Sequence, residues 1–381
     1  MMVCNDVYLN RVAAFLPNRA VGNDEMETVL GRVGGVPSRV RKMILRANGI
    51  RSRHYAIDPD SRAATHTAAE LAAEAVRGLW TQGVRPDEVS VLACATSYPD
   101  QIMPGHGVMV HGLLPEIPPC EVATAAGVCT AGMTAMLHAF RAVCCNGGTA
   151  VACAAENASA VMRGECFAPA AGRDWDAASP ELAFEQDFLR WMLSDGAGAA
   201  ALSAAPLAGS LNFKIRWIET VSYAGEMPVC MYAGADTDAQ GRLHGFKSGF
   251  RADNIMAVKQ NVKLLNAEII ARTVEQPLRR LADKYALAPE RIDWFLPHYS
   301  SEFFRPRVAA GLQRIGFALP QEKWFTNLAE KGNTGSASIY IILEEFMRRG
   351  DVCAGETVLC YIPESGRFSS CFMLLEAVYA D

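Results

Sequence analysis

One cysteine, Cys129, lies inside a long stretch that carries no charged side chain. From Val122 to Phe140 the chain has no Asp, Glu, Lys or Arg. The first part of this stretch suits a short strand that ends in small residues, and the residues from Thr130 to Val143 suit a helix buried on nearly every side. We therefore expect Cys129 to lie where a strand ends and a buried helix begins.

The same stretch is long enough to raise the question of a membrane span. It contains three Thr, two Gly and one His, and it lacks a Leu- and Ile-rich core flanked by Lys and Arg. This composition favours an element of the protein core, so we predict no membrane span.

A cysteine at the start of a helix has two interpretations. The free N–H groups and the macrodipole of the helix favour the thiolate over the thiol, which would make Cys129 a nucleophile. The alternative is a small buried hydrophobic side chain, because unpaired cysteine is among the most buried residue types. Position alone leaves both interpretations open.

The composition of the whole chain narrows the class of protein. A chain of 381 residues, half of them hydrophobic, can bury a large core in two lobes or two domains. Its net charge of −5 gives no reason to expect a nucleic-acid partner. The twelve cysteines show no CxxC pair and no metal-ligand spacing, and the first residues show no signal-peptide pattern. We expect a cytoplasmic protein with reduced thiols and no bound metal.

Hydropathy periodicity predicts an alternating order of strands and helices. The predicted strands cover residues 8–15, 89–96, 150–155, 215–222, 294–296, 358–362 and 371–378. The predicted helices cover residues 23–31 with Asn23 as N-cap, 67–79, 254–285, 304–315 and 334–347. Residues 195–201 contain a G-x-G-x-x-A dinucleotide pattern, but no long helix follows it, so a strand that contains glycine is the better interpretation.

The pattern restarts after about Pro206, so we divide the chain into residues 1–205 and 206–381. In each half a polar candidate residue precedes a helix that begins with small residues, at Thr130 and at Thr334. Small side chains let two helices pack closely. We infer an internal repeat in which two central helices face each other.

A basic segment lies between Ser38 and Arg53. It holds six Lys and Arg residues, of which Arg39, Lys42 and Arg46 are spaced to share one helix face. A solvated face and a docking surface for a phosphate or an acidic partner are both compatible with this pattern.

Three residues stand at the ends of predicted elements: Cys129 at a helix start, His298 after an apolar strand, and Asn333 just before the second small-residue helix. A thiol nucleophile needs a partner for its proton, and an imidazole and an amide can both donate to a developing oxyanion. Each residue alone is a weak indicator, since a lone His is usually structural and an Asn before a helix is usually an N-cap.

Five segments resemble, in the same order, the landmarks of the β-ketoacyl-(acyl-carrier-protein) synthase III family of the thiolase superfamily. They are A-T-S-Y-P-D at 95–100, A-A-G-V-C at 125–129, L-S-D-G-A-G-A-A at 193–200, Pro297-His298, and K-G-N-T-G-S-A-S at 331–338. The resemblance runs from about residue 5 to the C-terminus. It implies a thiolase-like α/β fold, in which two repeated mixed-sheet halves surround central buried helices in αβαβα layers.

The resemblance also implies roles for individual residues. Cys129 would accept the acyl group, and His298 with Asn333 would hold the carbonyl of the second thioester and stabilise its enolate. The oxyanion hole would consist of the amide of Cys129 and one amide of the C-terminal loop, from Ser365 or Gly366. In this loop the family's run of three glycines is reduced to one.

Other departures from the family bear on the substrate and the partners. Met43 and Ala47 replace the Trp and Arg that clasp coenzyme A, which favours a substrate bound to acyl carrier protein, with Arg39, Lys42 and Arg46 as a possible docking surface. Met103 takes the place of the aromatic side chain that enters the neighbouring subunit's pocket in family dimers. Y-S-S follows His298 where the family has Q-A-N, and with residues 33–41 this is most similar to the subgroup that makes alkylresorcinol-type precursors.

We therefore predict a homodimeric acyltransferase that forms a carbon–carbon bond by Claisen condensation. The acyl group on Cys129 would condense with a malonyl- or β-ketoacyl-thioester, with no metal or redox cofactor. The alternatives are a non-catalytic thiolase-fold partner subunit and a thioester hydrolase.

Overall fold

The structure is a computed structural model that describes residues 5–167, 187–238, 240–248 and 255–380. Its strands are β1 (Tyr8–Phe15), β2 (Val21–Gly22), β3 (Ser52–Arg53), β4 (Val89–Thr96), β5 (Glu121–Ala126), β6 (Thr149–Glu156), β7 (Gly196–Ser203), β8 (Leu211–Ser222), β9 (Met231–Tyr232), β10 (Ala235–Thr237), β11 (Leu243–Gly245), β12 (Lys259–Gln260), β13 (Trp294–Pro297), β14 (Thr357–Glu364) and β15 (Ser369–Tyr379).

The α-helices are α1 (Met26–Leu30), α2 (Arg41–Asn48), α3 (Ala68–Trp80), α4 (His106–Gly112), α5 (Ala131–Asn146), α6 (Ser159–Met162), α7 (Val262–Ile270), α8 (Gln276–Tyr285), α9 (Arg305–Arg314), α10 (Leu328–Lys331) and α11 (Ser338–Arg348). A π-helical turn, Ala271–Glu275, joins α7 to α8, and a 3₁₀ turn, Gly335–Ala337, precedes α11. Within the described ranges, no helix is long and apolar enough to cross a membrane.

The two halves of the chain have the same sheet topology. In the first half the strands lie in the order β5-β4-β6-β7-β1, with two parallel pairs followed by two antiparallel pairs. In the second half a parallel bridge from Trp324 to Phe295 of β13 is followed by β13-β14-β15-β8, again parallel, antiparallel and antiparallel. Antiparallel pairing of β1 with β8 joins the halves into one sheet. The internal repeat is therefore confirmed, and the predicted boundary at residue 205 lies between β7 and β8.

Alternate residues of the central strands face two different cores, which explains their nearly continuous apolar sequences. In β14, Val358, Cys360 and Ile362 face the central helices, whereas Leu359 and Tyr361 face the outer layer. The strand β4 divides in the same way between the central core and the layer that holds α3. This arrangement gives the predicted αβαβα layers.

The central helices α5 and α11 touch through small residues. A Cβ atom added to Gly132 would lie 2.1 Å from the carbonyl oxygen of Ser336, and the Tyr340 hydroxyl donates a hydrogen bond of 2.7 Å to the Gly132 carbonyl. A Cβ on Gly198 of β7 would lie 2.3 Å from the Cβ of Tyr340. The glycines of the G-x-G-x-x-A pattern therefore belong to a strand, as predicted, and α11 packs closely against this strand.

Several helix predictions need correction. Asn23 does not cap α1: its side-chain amide donates to the Ile50 carbonyl and its oxygen accepts from Arg53, so the helix starts at Met26 without a side-chain cap. The helix predicted from residue 254 begins at Val262, capped by Asn261, while Asn254 lies outside the described residues. Helix α2 begins at Arg41, so Arg39 precedes it.

The helix α5 is less enclosed than expected. Its residues Ala131, Met133 and Met136 are buried, but Thr134 and Arg141 are exposed. The cause is the position of the adjoining strand β5 at the edge of the sheet, where Glu121, Thr124 and Ala126 of the strand are also exposed.

Candidate active site

The turn that carries Cys129 connects β5 to α5. The strand ends at Ala126, and the helix begins at Ala131, whose amide donates to the Val128 carbonyl. Cys129 is half-buried and lines a cavity of about 720 Å³. The predicted junction of strand and helix is thus present, with Cys129 two residues ahead of the helix.

His298 directly follows β13 in the second half. Parallel pairing with β14 fixes this strand, and the His298 amide donates a hydrogen bond of 2.8 Å to the Tyr361 carbonyl. The side chain is buried and lines the same cavity as Cys129.

Asn333 lies between α10 and the 3₁₀ turn before α11. Its amide donates to the Met192 carbonyl at 3.0 Å, its carbonyl accepts from Ser194 at 2.8 Å, and its side-chain oxygen accepts from the Gly335 amide at 3.0 Å. The preceding Gly332 has a φ of +70° and touches Ser194, which leaves no room for a side chain. Asn333 also lines the cavity.

The cavity brings the three predicted residues together in one chamber. Its volume lies within the range of small-molecule sites, and its remaining walls are mainly apolar. The apolar side chains include Val161, Leu193, Met231, Ile269, Phe304 and Val308. A thiol, an imidazole and an amide thus face an apolar space large enough for an acyl chain, and their catalytic roles stay predictions.

The electrostatics at Cys129 differ from the expectation based on the helix start. Burial raises the pKa of the Cys129 thiol well above its usual range, and the nearby carboxylates of Glu364 and Glu156 raise it further. Burial lowers the pKa of His298 to about 4. In the unliganded protein at neutral pH the pair is therefore a thiol and a neutral imidazole.

Glu156, the last residue of β6, was not among the residues predicted for the site. Its buried carboxylate accepts hydrogen bonds from the amides and hydroxyls of Ser97 and Ser336, which ties the start of α11 to the end of β4. Burial raises the pKa of this carboxyl group. The signal was present in the sequence, since Glu156 is the one carboxylate at the end of an otherwise uncharged strand.

The predicted oxyanion loop lies beside the nucleophile turn. Ser365 lines the cavity, and a Cβ on Gly366 would lie 3.1 Å from a methyl group of Val128. The Gly366 carbonyl accepts from the amides of Cys230 and Met231 at 2.8 and 3.1 Å. These contacts hold the loop in place although it has only one glycine.

The remaining predicted residues lie outside the cavity. Met103 is 81% exposed, and its neighbour Ile102, which borders the cavity, is 66% exposed. Arg39, Lys42 and Arg46 are exposed. The helix α2 that carries the last two contacts the segment after His298, where the Ser301 hydroxyl donates to the Ala47 carbonyl at 3.5 Å.

Comparison with known proteins identifies a consistent set of relatives. Residues 282–363 match the family described as 3-oxoacyl-[acyl-carrier-protein (ACP)] synthase III C terminal. A beta-ketoacyl-[acyl-carrier-protein] synthase III from Methylococcus capsulatus is 26% identical over 349 residues, which cover 91% of each chain.

Two solved structures share the fold. A 3-oxoacyl-(acyl carrier protein) synthase III from Xanthomonas oryzae pv. oryzae has a TM-score of 0.74 at 20% identity, over 98% of this chain and 100% of the other. AbyA1, a tetronic acid condensing enzyme, also has a TM-score of 0.74, at 22% identity over 97% of this chain and 99% of its own. At these identities the similarity establishes the fold.

Proposed function

Since the chain belongs to the 3-oxoacyl-(acyl-carrier-protein) synthase III family of acyltransferases in the thiolase superfamily, we propose that it joins two acyl thioesters by Claisen condensation. The observation that carries this proposal is the common cavity, which Cys129, His298 and Asn333 all line. Each of these residues comes from a different segment of the chain.

The first half-reaction transfers an acyl group to Cys129. The sulfur attacks the thioester carbonyl while its proton passes to the neutral imidazole of His298. The amide of Cys129 and an amide of Ser365 or Gly366 stabilise the tetrahedral oxyanion. Collapse of this adduct expels the carrier thiolate, which takes the proton back, so the enzyme is left as a neutral thioester.

The second half-reaction forms the carbon–carbon bond. His298 and Asn333 hold the carbonyl of a malonyl- or β-ketoacyl-thioester and stabilise the enolate that forms when the malonyl group loses carbon dioxide or the β-ketoacyl α-carbon loses a proton. The α-carbon attacks the acyl group on Cys129, and the Cys129 thiolate leaves and takes up one proton, from solvent with the malonyl donor or the proton released by the β-ketoacyl donor. No oxidation state changes, so the proposed reaction needs no redox cofactor, and the hydrogen-bond donors polarise the carbonyls in place of a metal.

A basic surface at the side of the cavity supports delivery of substrate by an acyl carrier protein. Arg39, Lys42 and Arg46 are exposed, and Met43 between them is an exposed apolar side chain. A cationic surface of this kind attracts an acidic partner and speeds its association. We place the carrier-protein contact here.

The edge strand β5 supports a homodimer. Among the strands that the structure describes it pairs only with β4, and the neighbouring segment exposes the large apolar side chains of Ile102, Met103, Val108 and Met109. An unpaired edge beside an apolar surface is a site at which a second copy can bind. In such a dimer Met103 would lie at the subunit interface.

Intact-mass spectrometry tests the first half-reaction. We expect incubation with acyl-carrier-protein or coenzyme A thioesters to add one acyl mass to the wild-type protein and to the Cys120→Ala control, whose thiol does not line the cavity. Cys129→Ala should show no gain. Addition of a malonyl donor should then yield a condensed product, whereas release of free acid alone would identify a thioester hydrolase and refute the condensation.

A further inference from the structure

Glu364 connects the two halves of the chain at the nucleophile. It is the last residue of β14, in the second half, but one of its carboxylate oxygens reaches the turn before α5, in the first half. That oxygen accepts hydrogen bonds from the amides of Val128 and Thr130, at 3.2 and 3.0 Å, and from the Thr130 hydroxyl. Thr130 does not cap the helix with its own side chain, so Glu364 binds these donors instead.

The two amides that Glu364 binds are those on either side of Cys129. The amides of Val128, Cys129 and Thr130 could each donate a hydrogen bond to an anion, because amides at a helix start have no partner within the helix. The Glu364 carboxylate occupies the first and the third, which leaves the middle one for a substrate oxygen.

The backbone of the same residue leads into the oxyanion loop. Beyond Glu364, the loop is held by the Gly366 carbonyl, by the Arg367 guanidinium, which donates to the Met227 carbonyl at 2.6 Å, and by the Phe368 carbonyl, which accepts from Tyr223 at 2.8 Å. One residue thus fixes the nucleophile turn through its side chain and the loop through its backbone.

We propose that Glu364 is a positioning residue that assembles the oxyanion hole by aligning the amide of Cys129 with those of Ser365 and Gly366. This inference rests on the proposed acyl transfer to Cys129. It explains how a loop with one glycine can serve where the family has three.

The carboxylate has a second effect on Cys129. Glu364 at the end of β14 and Glu156 at the end of β6 are the carboxylates that raise the pKa of the thiol, and the neutral His298 after β13 lines the same cavity, as do Asp100 and Tyr98 after β4 and Tyr361 of β14. A carboxylate at the helix start offsets the positive end of the helix dipole and disfavours a second anion there. Removal of the charge should therefore make the thiol more reactive towards an alkylating agent, which needs no oxyanion hole.

Two reactions of Cys129, measured by intact mass, test the proposal. In Glu364→Ala we expect acylation by an acyl thioester to slow about 100-fold, as for loss of an oxyanion-hole donor. Alkylation by iodoacetamide at pH 7 should become about tenfold faster, which corresponds to one pKa unit. Glu364→Gln loses the charge but keeps an acceptor oxygen. Its Cys129 should also be alkylated faster than that of the wild type, and it should be acylated at least tenfold faster than that of Glu364→Ala. Glu74→Gln, on the surface of α3, is the matched control for loss of a carboxylate.

Opposite shifts in the two rates separate this role from a structural one. A purely structural role would slow both reactions in Glu364→Ala, and that result would overturn the proposal, as would acylation within threefold of wild type. If the wild-type protein accepts no acyl thioester, the proposed function fails. The alkylation rates of the two Glu364 variants then decide alone whether the carboxylate controls Cys129.

Discussion

Gly132→Ala should damage both the stability and the activity of the protein, because the added methyl group has no space. Its carbon atom would lie 2.1 Å from the carbonyl oxygen of Ser336. Non-bonded heavy atoms pack at about 3.5 Å, so the central helices α5 and α11 must separate by more than about 1 Å. Gly132 lies three residues after Cys129, and Ser336 lies three residues after Asn333. The separation therefore moves two site residues apart.

The expected magnitudes follow from this geometry. Overpacking costs about 1–3 kcal/mol, and the clash with a backbone atom places this site at the upper end. Alanine recovers about 1 kcal/mol through its higher helix propensity, so we expect a net loss of about 2 kcal/mol. Over 381 residues the entropy of unfolding is about 0.8 kcal/mol/K, so that loss lowers the Tm by about 2–3 °C. A displacement of about 1 Å at the site should reduce the condensation rate about 100-fold.

Thermal unfolding followed by circular dichroism, together with acylation and condensation assays, checks these values. Gly225→Ala is the matched control, since a Cβ at Gly225 has no atom within 4 Å and should change neither the Tm nor the rate. A Gly132→Ala protein with the wild-type Tm and wild-type activity would refute the close contact of the central helices.

Three other changes give separate expectations. Because burial lowers the pKa of His298 to about 4, the unfolded chain binds more protons at this residue between pH 4 and 6.5, so His298 by itself should lower stability by about 2 kcal/mol from pH 7 to pH 5; in urea denaturation the change between these two pH values should differ by that amount between the wild type and His298→Gln. Asn333→Asp keeps the acceptor for Gly335 but loses the amide donors, so mass spectrometry should show acylated Cys129 while condensation falls about 100-fold or more. Met103→Asp should shift the protein from dimer to monomer in light scattering, and an unchanged dimer would contradict the proposed interface.

Sequence patterns predicted the fold best where local periodicity and burial agree. The bounds of β1 and β4 are those predicted, because β1 shows the alternation of a strand and β4 is a nearly apolar run that ends at the turn after Thr96. The helix α3 was predicted over residues 67–79 and spans Ala68–Trp80, because Thr67 is its N-cap, whose hydroxyl accepts from the Glu70 amide in a capping box. In these elements the nearest neighbours in the chain decide the structure.

The incorrect predictions concern residues whose side chains find partners far along the chain. Asn23 has the residue type of an N-cap, but its side chain bonds to Ile50 and Arg53. The start of α7 is set by Asn261, whose side chain accepts from Leu264, after β12 has paired with β9. No local sequence pattern shows which of two suitable Asn residues will cap a helix in the folded protein.

Some residues of the candidate site were likewise predictable from the sequence, and others were not. The positions of Cys129, His298 and Asn333 at the ends of elements were predictable, since parallel strands of a layered sheet end at a common edge. The contribution of Glu364 was not, because its contact with Thr130 joins residues 234 positions apart. A carboxylate in a C-terminal loop gives no sign in the sequence that it binds the turn of an N-terminal nucleophile.

The pKa of Cys129 shows how the fold sets the chemistry. Close packing of α5 against α11 requires small residues at their contact, and burial of the nearby thiol raises its pKa. The donors at the two helix starts are satisfied by Glu364 and Glu156, so the groups that stabilise the turn also oppose a thiolate within it. In the proposed mechanism sulfur attack is therefore coupled to proton transfer, with His298, which burial keeps neutral and which lines the same cavity, as the proton acceptor. Removing this imidazole should slow acylation of Cys129 more than removing the amide of Asn333 does.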